Sequence, residues 1–185
     1  SGQLGTEDEE VGSRLIAGDV AAAACGLSHT MFIKRNGSLW ACGDNLFGEM
    51  GFASSDRYIK EPVSVVCGGA VLSVACGWNH SAVIMRDGSM WTSGSNNHGK
   101  LGADTQGDLH RGFLRVAEHV KQVSCGRNHT MYVTNDGHLW ACGSNAHREL
   151  GLPRTVHEAG LPHKVAENIE SVACGKIHTL LQRRD

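Results

Sequence analysis

The motif Cys-Gly-x-x-His occurs four times, led by Cys25 and His29, Cys76 and His80, Cys125 and His129, and Cys174 and His178. The intervals are 51, 49 and 49 residues. A period of that length and regularity restricts the chain to a stack of similar small units, each relying on its neighbours to bury its apolar faces. A position that recurs in every unit is then structural before it is anything else. Function is expected on the surface that the stack creates.

More than the motif recurs. An apolar run follows each of the first three histidines (30–33, 81–85 and 130–133), and then a turn dipeptide, Asn36-Gly37, Asp87-Gly88 or Asp136-Gly137. A second apolar run carries a tryptophan in register, at Trp40, Trp91 and Trp140, and ends in a Gly-x-Asn element at Asn45, Asn96 and Asn145. A short turn closes each unit at 48–51, 99–102 and 148–151, with Arg148 standing where the others have glycine. Two apolar runs joined by Asn-Gly or Asp-Gly read as a β-hairpin, whose two central turn residues are expected at positive φ. Further apolar runs precede each cysteine, at 20–24, 71–75, 120–124 and 169–173, and before those at 63–66, 113–116 and 163–166. That makes about four short strands per unit, and no stretch carries a helical stripe of useful length. The expected fold class is all-β, a β-propeller of four-stranded antiparallel blades.

The expected organisation is a tail of a preceding blade with an acidic loop (1–19), blades at 20–66, 71–117 and 120–166, and the first two strands of a further blade (169–185). This is an arc of about 3.5 blades, whereas closed propellers typically need about four to eight. Either the chain is a piece of a longer one, or two arcs join head to tail. A doubled arc would lack the tryptophan-bearing strand at each junction.

Glycine is abundant at 24 residues, as a turn-rich repeat requires. The net charge of −2 offers no global field for nucleic acid, and no sequence-specific nucleic-acid binding is expected. No run of about 18 apolar residues suggests a membrane helix, and no signal peptide is visible. The cysteine count is odd, seven, and six of the seven sit on repeat positions. Free thiols in a reducing compartment are expected, hence a cytoplasmic or nuclear protein.

The order Ala-Cys-Gly-x-x-His-Thr, Asp-Gly-x-Leu-Trp, Cys-Gly-x-Asn, Gly-x-Leu-Gly, at this period, resembles the repeats of the regulator of chromosome condensation family over nearly the whole chain. The resemblance implies a seven-bladed ring, of which about half is present. It also implies a range of roles. Members include exchange factors for a Ran-type small GTPase that bind histones, substrate-recruiting domains of ubiquitin ligases, ciliary GTPase-network scaffolds and a plant UV-B photoreceptor.

Cys25, His29, Cys76, His80, Cys125, His129, Cys174 and His178 could suggest zinc, which needs four tetrahedral ligands around one ion. Each pair belongs to a different unit, so a structural role is expected, with the histidine bonding its own turn and the glycine permitting the backbone path. No metal or cofactor is expected. Trp40, Trp91 and Trp140 are expected to pack between blades. Trp78 differs, because the other units carry Leu27, Arg127 and Lys176 at its position. It is expected to be exposed and is a candidate hot spot for a partner. Its Gly-Trp-x-His string is similar to the photoreceptor's motif. That chemistry needs clustered tryptophans flanked by arginines, and this chain has only four tryptophans.

The connections between units vary most, and loops on one rim of a rigid scaffold are common binding places. Candidates there are Glu7, Asp8, Glu9 and Glu10, an acidic run suited to a basic histone tail, then Arg57 and Tyr58, Asp108 and Arg111, and Arg154 and His157. No phosphate-binding loop and no unit-specific Ser/His/Asp or paired-carboxylate set stands out, so no enzyme is expected. The expected function is a protein-interaction scaffold or substrate-recruiting propeller module of a larger protein. The alternative is part of a guanine nucleotide exchange factor for a Ran-type GTPase with histone contact. Expected partners are proteins (a small GTPase, a histone tail or a ligase substrate), with self-association through open propeller ends also in view.

Overall fold

The computed structural model describes residues 15–105 and 107–184. Fourteen strands occur among them. The first blade is β1 (Val20–Cys25), β2 (His29–Lys34), β3 (Leu39–Asp44) and β4 (Tyr58–Val65). The second is β5 (Val71–Cys76), β6 (His80–Met85), β7 (Met90–Ser95) and β8 (Leu109–Ala117). The third is β9 (Val120–Cys125), β10 (His129–Thr134), β11 (Leu139–Ser144) and β12 (Glu158–Ala166). A two-stranded sheet follows, β13 (Ile169–Cys174) with β14 (Thr179–Arg183). Each four-stranded sheet is an antiparallel meander in chain order, so the described residues form an open arc of a propeller. The only helical element among them is one 3-10 turn at Asn97–Gly99.

The hairpin turns differ in detail from the expected pair of positive φ values. Only the glycines are left-handed, with φ of 85° at Gly37, 83° at Gly88 and 85° at Gly137. The Gly37 N–H donates to the Lys34 carbonyl at 2.8 Å, and the Asn36 side-chain oxygen accepts the Ser38 N–H at 3.0 Å. A turn followed by one left-handed glycine, braced by the Asn or Asp side chain, thus replaces the two-residue form. The outer strands are also longer than their apolar runs. β4, β8 and β12 start five, four and five residues earlier than those runs, and each ladder slips at a bulge beside the third strand. Polar residues at the loop ends are therefore already in the sheet.

The core lies in the seams, not inside the blades. Met31, Ile33, Leu39, Ala41 and Met50 of the first blade meet Val71, Val83 and Met85 of the second, with Trp91 packed alongside. Ala82, Ile84 and Met90 meet Val120, Val123 and Tyr132, with Trp140 alongside. Met131, Val133, Leu139 and Leu150 meet Ile169 and Val172. A strand flanked by blades on both sides loses its alternation, and all six residues of β6 are buried. By contrast β1 and β14, at the two ends of the arc, are exposed along most of their length.

Trp91 and Trp140 thus pack on the seam with the preceding blade. Each recurring tryptophan also braces its own sheet. Trp40 stacks on Phe32 and Trp140 on Tyr132, at 6.4 Å between centroids in both cases. The indole N–H of Trp40 donates to Ser38 and that of Trp91 to Ser89, at 3.0 and 2.9 Å.

Candidate protein-interaction site

The Cys-Gly-x-x-His turns join the first strand of each unit to the second, and β3, β7 and β11 end beside them, as the pairing of His29 with Gly43, His80 with Gly94 and His129 with Gly143 shows. The three long connections, 45–57, 96–108 and 145–157, leave from those strand ends. One face of the arc therefore carries both the turns and the loops, while the hairpin turns and the crossovers between blades lie on the other. An asparagine organises each loop. The Asn45, Asn96 and Asn145 side-chain oxygens accept the N–H of Met50, Leu101 and Leu150 at 3.1, 3.0 and 3.2 Å. Their backbone N–H groups donate to the carbonyls of Arg57, Asp108 and His157, all at 2.7 Å.

The histidine carbonyls close their own turns, accepting the N–H of Gly26, Gly77, Gly126 and Gly175 at 2.8–2.9 Å, but the imidazoles of His29, His80 and His129 reach elsewhere. His29 Nε2 lies 2.7 Å from Ser81 Oγ of the next blade, His80 Nε2 lies 2.9 Å from Thr130 Oγ1, and His129 Nε2 lies 3.2 Å from Thr179 Oγ1. The Thr130 hydroxyl donates to the Lys100 carbonyl at 2.8 Å, and Thr179 to the Glu149 carbonyl at 2.8 Å. A hydroxyl has one proton to give, so it accepts from the imidazole, and Nε2 of His80 and His129 carries the hydrogen. Nδ1 is left bare, buried and without a hydrogen-bond partner in His29, His80 and His129. Burial holds these rings neutral. The pKa of His29 and of His129 falls to about 4, and that of His80 falls well below the usual range.

The adjoining glycine is required by packing and not by φ. A Cβ on Gly26, Gly77 or Gly126 would stand 2.3, 2.1 or 2.0 Å from the Cε1 of its own unit's histidine. The cysteines complete the seam. Cys76, Cys125 and Cys174 donate to the carbonyls of Ala24, Ala75 and Ser124 in the preceding blade. Burial pushes Cys76 and Cys142 up to about 12 and Cys174 to about 11. Protonated thiols are poor metal ligands and poor nucleophiles. Among the described residues no three His, Cys, Asp or Glu side chains converge on a point where an ion could sit.

Beside this recurring layer of chemistry the units diverge. Leu27, Trp78, Arg127 and Lys176 hold the same place in successive turns, and the stacking brings all four to one recess of about 430 Å³ at the axis. Trp78 is half-buried, not exposed as expected, because its neighbours cover it. The Arg127 guanidinium lies 3.9 Å from the ring centroid and the Lys176 ammonium 5.2 Å. Leu27 stands half-exposed at the rim. Arg127 and Lys176 are site residues that a search for exceptional residues overlooks. Their signal was present in the sequence as one repeat position carrying four unlike side chains.

The rim candidates stand on the same face but outside the recess. Arg57 pairs with Asp44 at 2.9 Å and lies 4.7 Å from the Tyr58 ring centroid. Asp108, Arg154 and His157 are exposed. Arg111 belongs to β8, and its backbone packs against the first blade's closing turn at Gly48. Glu7, Asp8, Glu9 and Glu10 lie outside the described residues.

Two models of the regulator of chromosome condensation (RCC1) repeat match the chain, one at residues 20–49, 71–100 and 120–149, the other at 36–84, 87–133 and 136–182. Ultraviolet-B receptor UVR8 of Arabidopsis thaliana is 33% identical over 116 residues, 59% of this chain and 26% of that protein. Secretion-regulating guanine nucleotide exchange factor of Bos taurus is 31% identical over 109 residues, 55% of this chain and 24% of that protein. The crystal structure of Prp20p from Saccharomyces cerevisiae, described with its binding to Gsp1p and histones, superposes with a TM-score of 0.81 at 19% identity, covering 90% of this chain and 44% of that one. The chain thus spans about a quarter of those two curated relatives and under half of that solved structure. The expectation that no enzyme is present is corrected here, because a relative is a nucleotide exchange factor. Exchange is catalysed by binding and displacement, so the lack of a nucleophile or a carboxylate pair did not bear on it.

Proposed function

The chain belongs to the regulator of chromosome condensation repeat family, and from that premise we propose that this interaction module is the GTPase-docking arc of a guanine nucleotide exchange factor. One observation carries the reading. The face that holds all three long loops also holds the recess where Trp78 lies under Arg127, and the other repeat-specific side chains gather there too. A rigid stack whose variable residues are collected on one face is a docking surface by construction. The similarity to the bovine exchange factor favours a small GTPase over other protein partners. No hairpin beyond the meander strands occurs among the described residues. In this reading the arc holds the GTPase, and a wedge from elsewhere displaces the nucleotide. No disulfide joins the cysteines, six of which have raised pKa values, and this suits a reducing compartment, nuclear or cytoplasmic. A histone tail remains the counterpart proposed for the acidic run at 7–10.

Thermodynamic linkage supplies the test. A protein that promotes nucleotide release binds the nucleotide-free GTPase more tightly than the nucleotide-bound form. Surface-immobilised chain, offered a panel of small GTPases, is expected to prefer one of them in its nucleotide-free form by about tenfold or more. Equal affinity for both forms, or no binding across the panel, overturns the proposal.

A further inference from the structure

The axial recess has a specific chemistry. Its lining includes two cations, Arg127 and Lys176, and no carboxylate. Neither cation has an ion-pair partner among the described residues, whereas Arg57, Lys121, Lys164 and Arg184 on the surrounding surface each have one. The Nε of Arg127 is buried with no hydrogen-bond acceptor among the described residues. A guanidinium nitrogen withdrawn from water and left unpaired is costly, and Trp78 beneath it recovers only part of the lost solvation. The buried Lys100 ammonium bonds to Asn128 Oδ1 at 3.1 Å in the adjoining seam, while the buried Glu49 and Glu149 hold the equivalent position in the other units. The lining also has an apolar side chain at Leu27, which is 50% exposed.

We propose that the recess receives an acidic segment of a protein partner, with an aspartate or glutamate side chain paired to Arg127 and Lys176 over Trp78 and an adjoining apolar side chain on Leu27. The proposal rests on the reading of this face as the partner-binding face and adds the chemistry of what enters it. A carboxylate supplies the acceptors that Arg127 lacks, and its bond to a guanidinium already held against an indole costs little conformational entropy. A phosphodiester strand fits less well. Its affinity grows from a track of successive cations, and here the two cations occupy only two adjacent turns of the recess, in a chain of net charge −2. Base stacking on Trp78 is obstructed on the face that Arg127 covers.

Fluorescence anisotropy with a short fluorescein-labelled peptide alternating glutamate and leucine tests this on the full chain. Controls are the same peptide with glutamine for glutamate and an oligothymidine of equal length. The glutamate peptide is expected to bind, the glutamine peptide at least about tenfold more weakly, and the Arg127→Gln/Lys176→Gln variant at least about tenfold more weakly than the parent. An Arg127→Glu/Lys176→Glu variant is expected to prefer a lysine–leucine peptide. That reversal identifies pairing at the recess, which a general loss of folding does not produce; circular dichroism confirms the fold of each variant. Equal binding of glutamate and glutamine peptides, unchanged binding by the double variant, or preferred binding of oligothymidine overturns the inference. The readout involves no GTPase, so the acidic-segment inference and the exchange-factor proposal can fail independently.

Discussion

His80 and Trp78 are two residues apart, and they belong to different regions of the molecule. His80 reaches sideways into the seam, where it meets a hydroxyl of the next blade in an arrangement shared by His29 and His129. Trp78 points to the axis, where each unit contributes a different side chain. In the seam every unit must satisfy the same neighbour, so repetition there records stacking. At the mouth no neighbour dictates the residue, so variation there records what the stack presents to a partner. The comparison teaches that in this chain the structural and the recognition positions interleave within one turn, and sorting them requires comparing units rather than looking for unusual residues.

The largest expected effect tests the seam. His80→Ala removes a buried ring and leaves Thr130 without its donor, and should cost about 3 kcal/mol in urea unfolding. A loss under about 1 kcal/mol would mean that the seam does not depend on the histidine. The next sharpens the role of neighbours. Gly99 and Gly151 have nearly the same left-handed φ, 71° and 74°. A Cβ on Gly99 would stand 2.2 Å from the Gly160 Cα of the next blade, while one on Gly151 meets nothing within 4 Å. Gly151→Ala should therefore cost about 1 kcal/mol, the backbone term alone, and Gly99→Ala about 2–3 kcal/mol. Equal costs would show that φ alone selects these glycines. The same contrast explains Arg148, which holds φ 65° where Gly48 and Gly99 stand. It is exposed, and no outer strand of a following blade packs over it among the described residues.

Titration gives a third, intermediate effect. His29 and His129 have folded pKa values lowered from 6.5 to about 4. Between those values the unfolded chain binds protons that the folded chain refuses, so stability is intact above pH 6.5 and falls as pH drops toward 4. Each ring contributes a slope of about 1.4 kcal/mol per pH unit. Glu49, pushed up to about 7 by burial, acts in the opposite direction from 4.5 upward but is a single group. Urea midpoints measured across this window should rise with pH, and His129→Gln should flatten the rise. A midpoint that is constant or falls with pH would place charged histidines in the seam.

The smallest effect is at the mouth. Trp78→Ala should change stability by about 1 kcal/mol or less, since the ring is only half-buried and is covered by the side chains of Arg127 and Lys176, yet it should weaken partner binding by about tenfold or more. If Trp78→Ala destabilises as much as Trp91→Ala, whose indole packs on the first seam, the division between seam and mouth is wrong.

Much of the architecture was legible because hairpins are local. The apolar runs around Asn36-Gly37, Asp87-Gly88 and Asp136-Gly137 became β2–β3, β6–β7 and β10–β11, with their tryptophans in register. The outer strands were under-read at their starts, where Tyr58, Leu109 and Glu158 pair by backbone bonds that leave no apolar pattern. At the site, Trp78 was legible as an exception to its repeat, while Arg127 and Lys176 were not, because a lone surface cation carries no signal until its neighbours are known.

By itself the sequence determined what is periodic: the strand order of each unit, the turns between strands, and the stacking of units on their apolar faces, all set by contacts within a few tens of residues. Only the tertiary structure decided which hydroxyl each histidine meets and that four unlike side chains, each about fifty residues from the next, share one recess. The physical reason is that these contacts cross from blade to blade. They depend on the angle and rise of the stack, and no pattern within a single unit encodes that geometry.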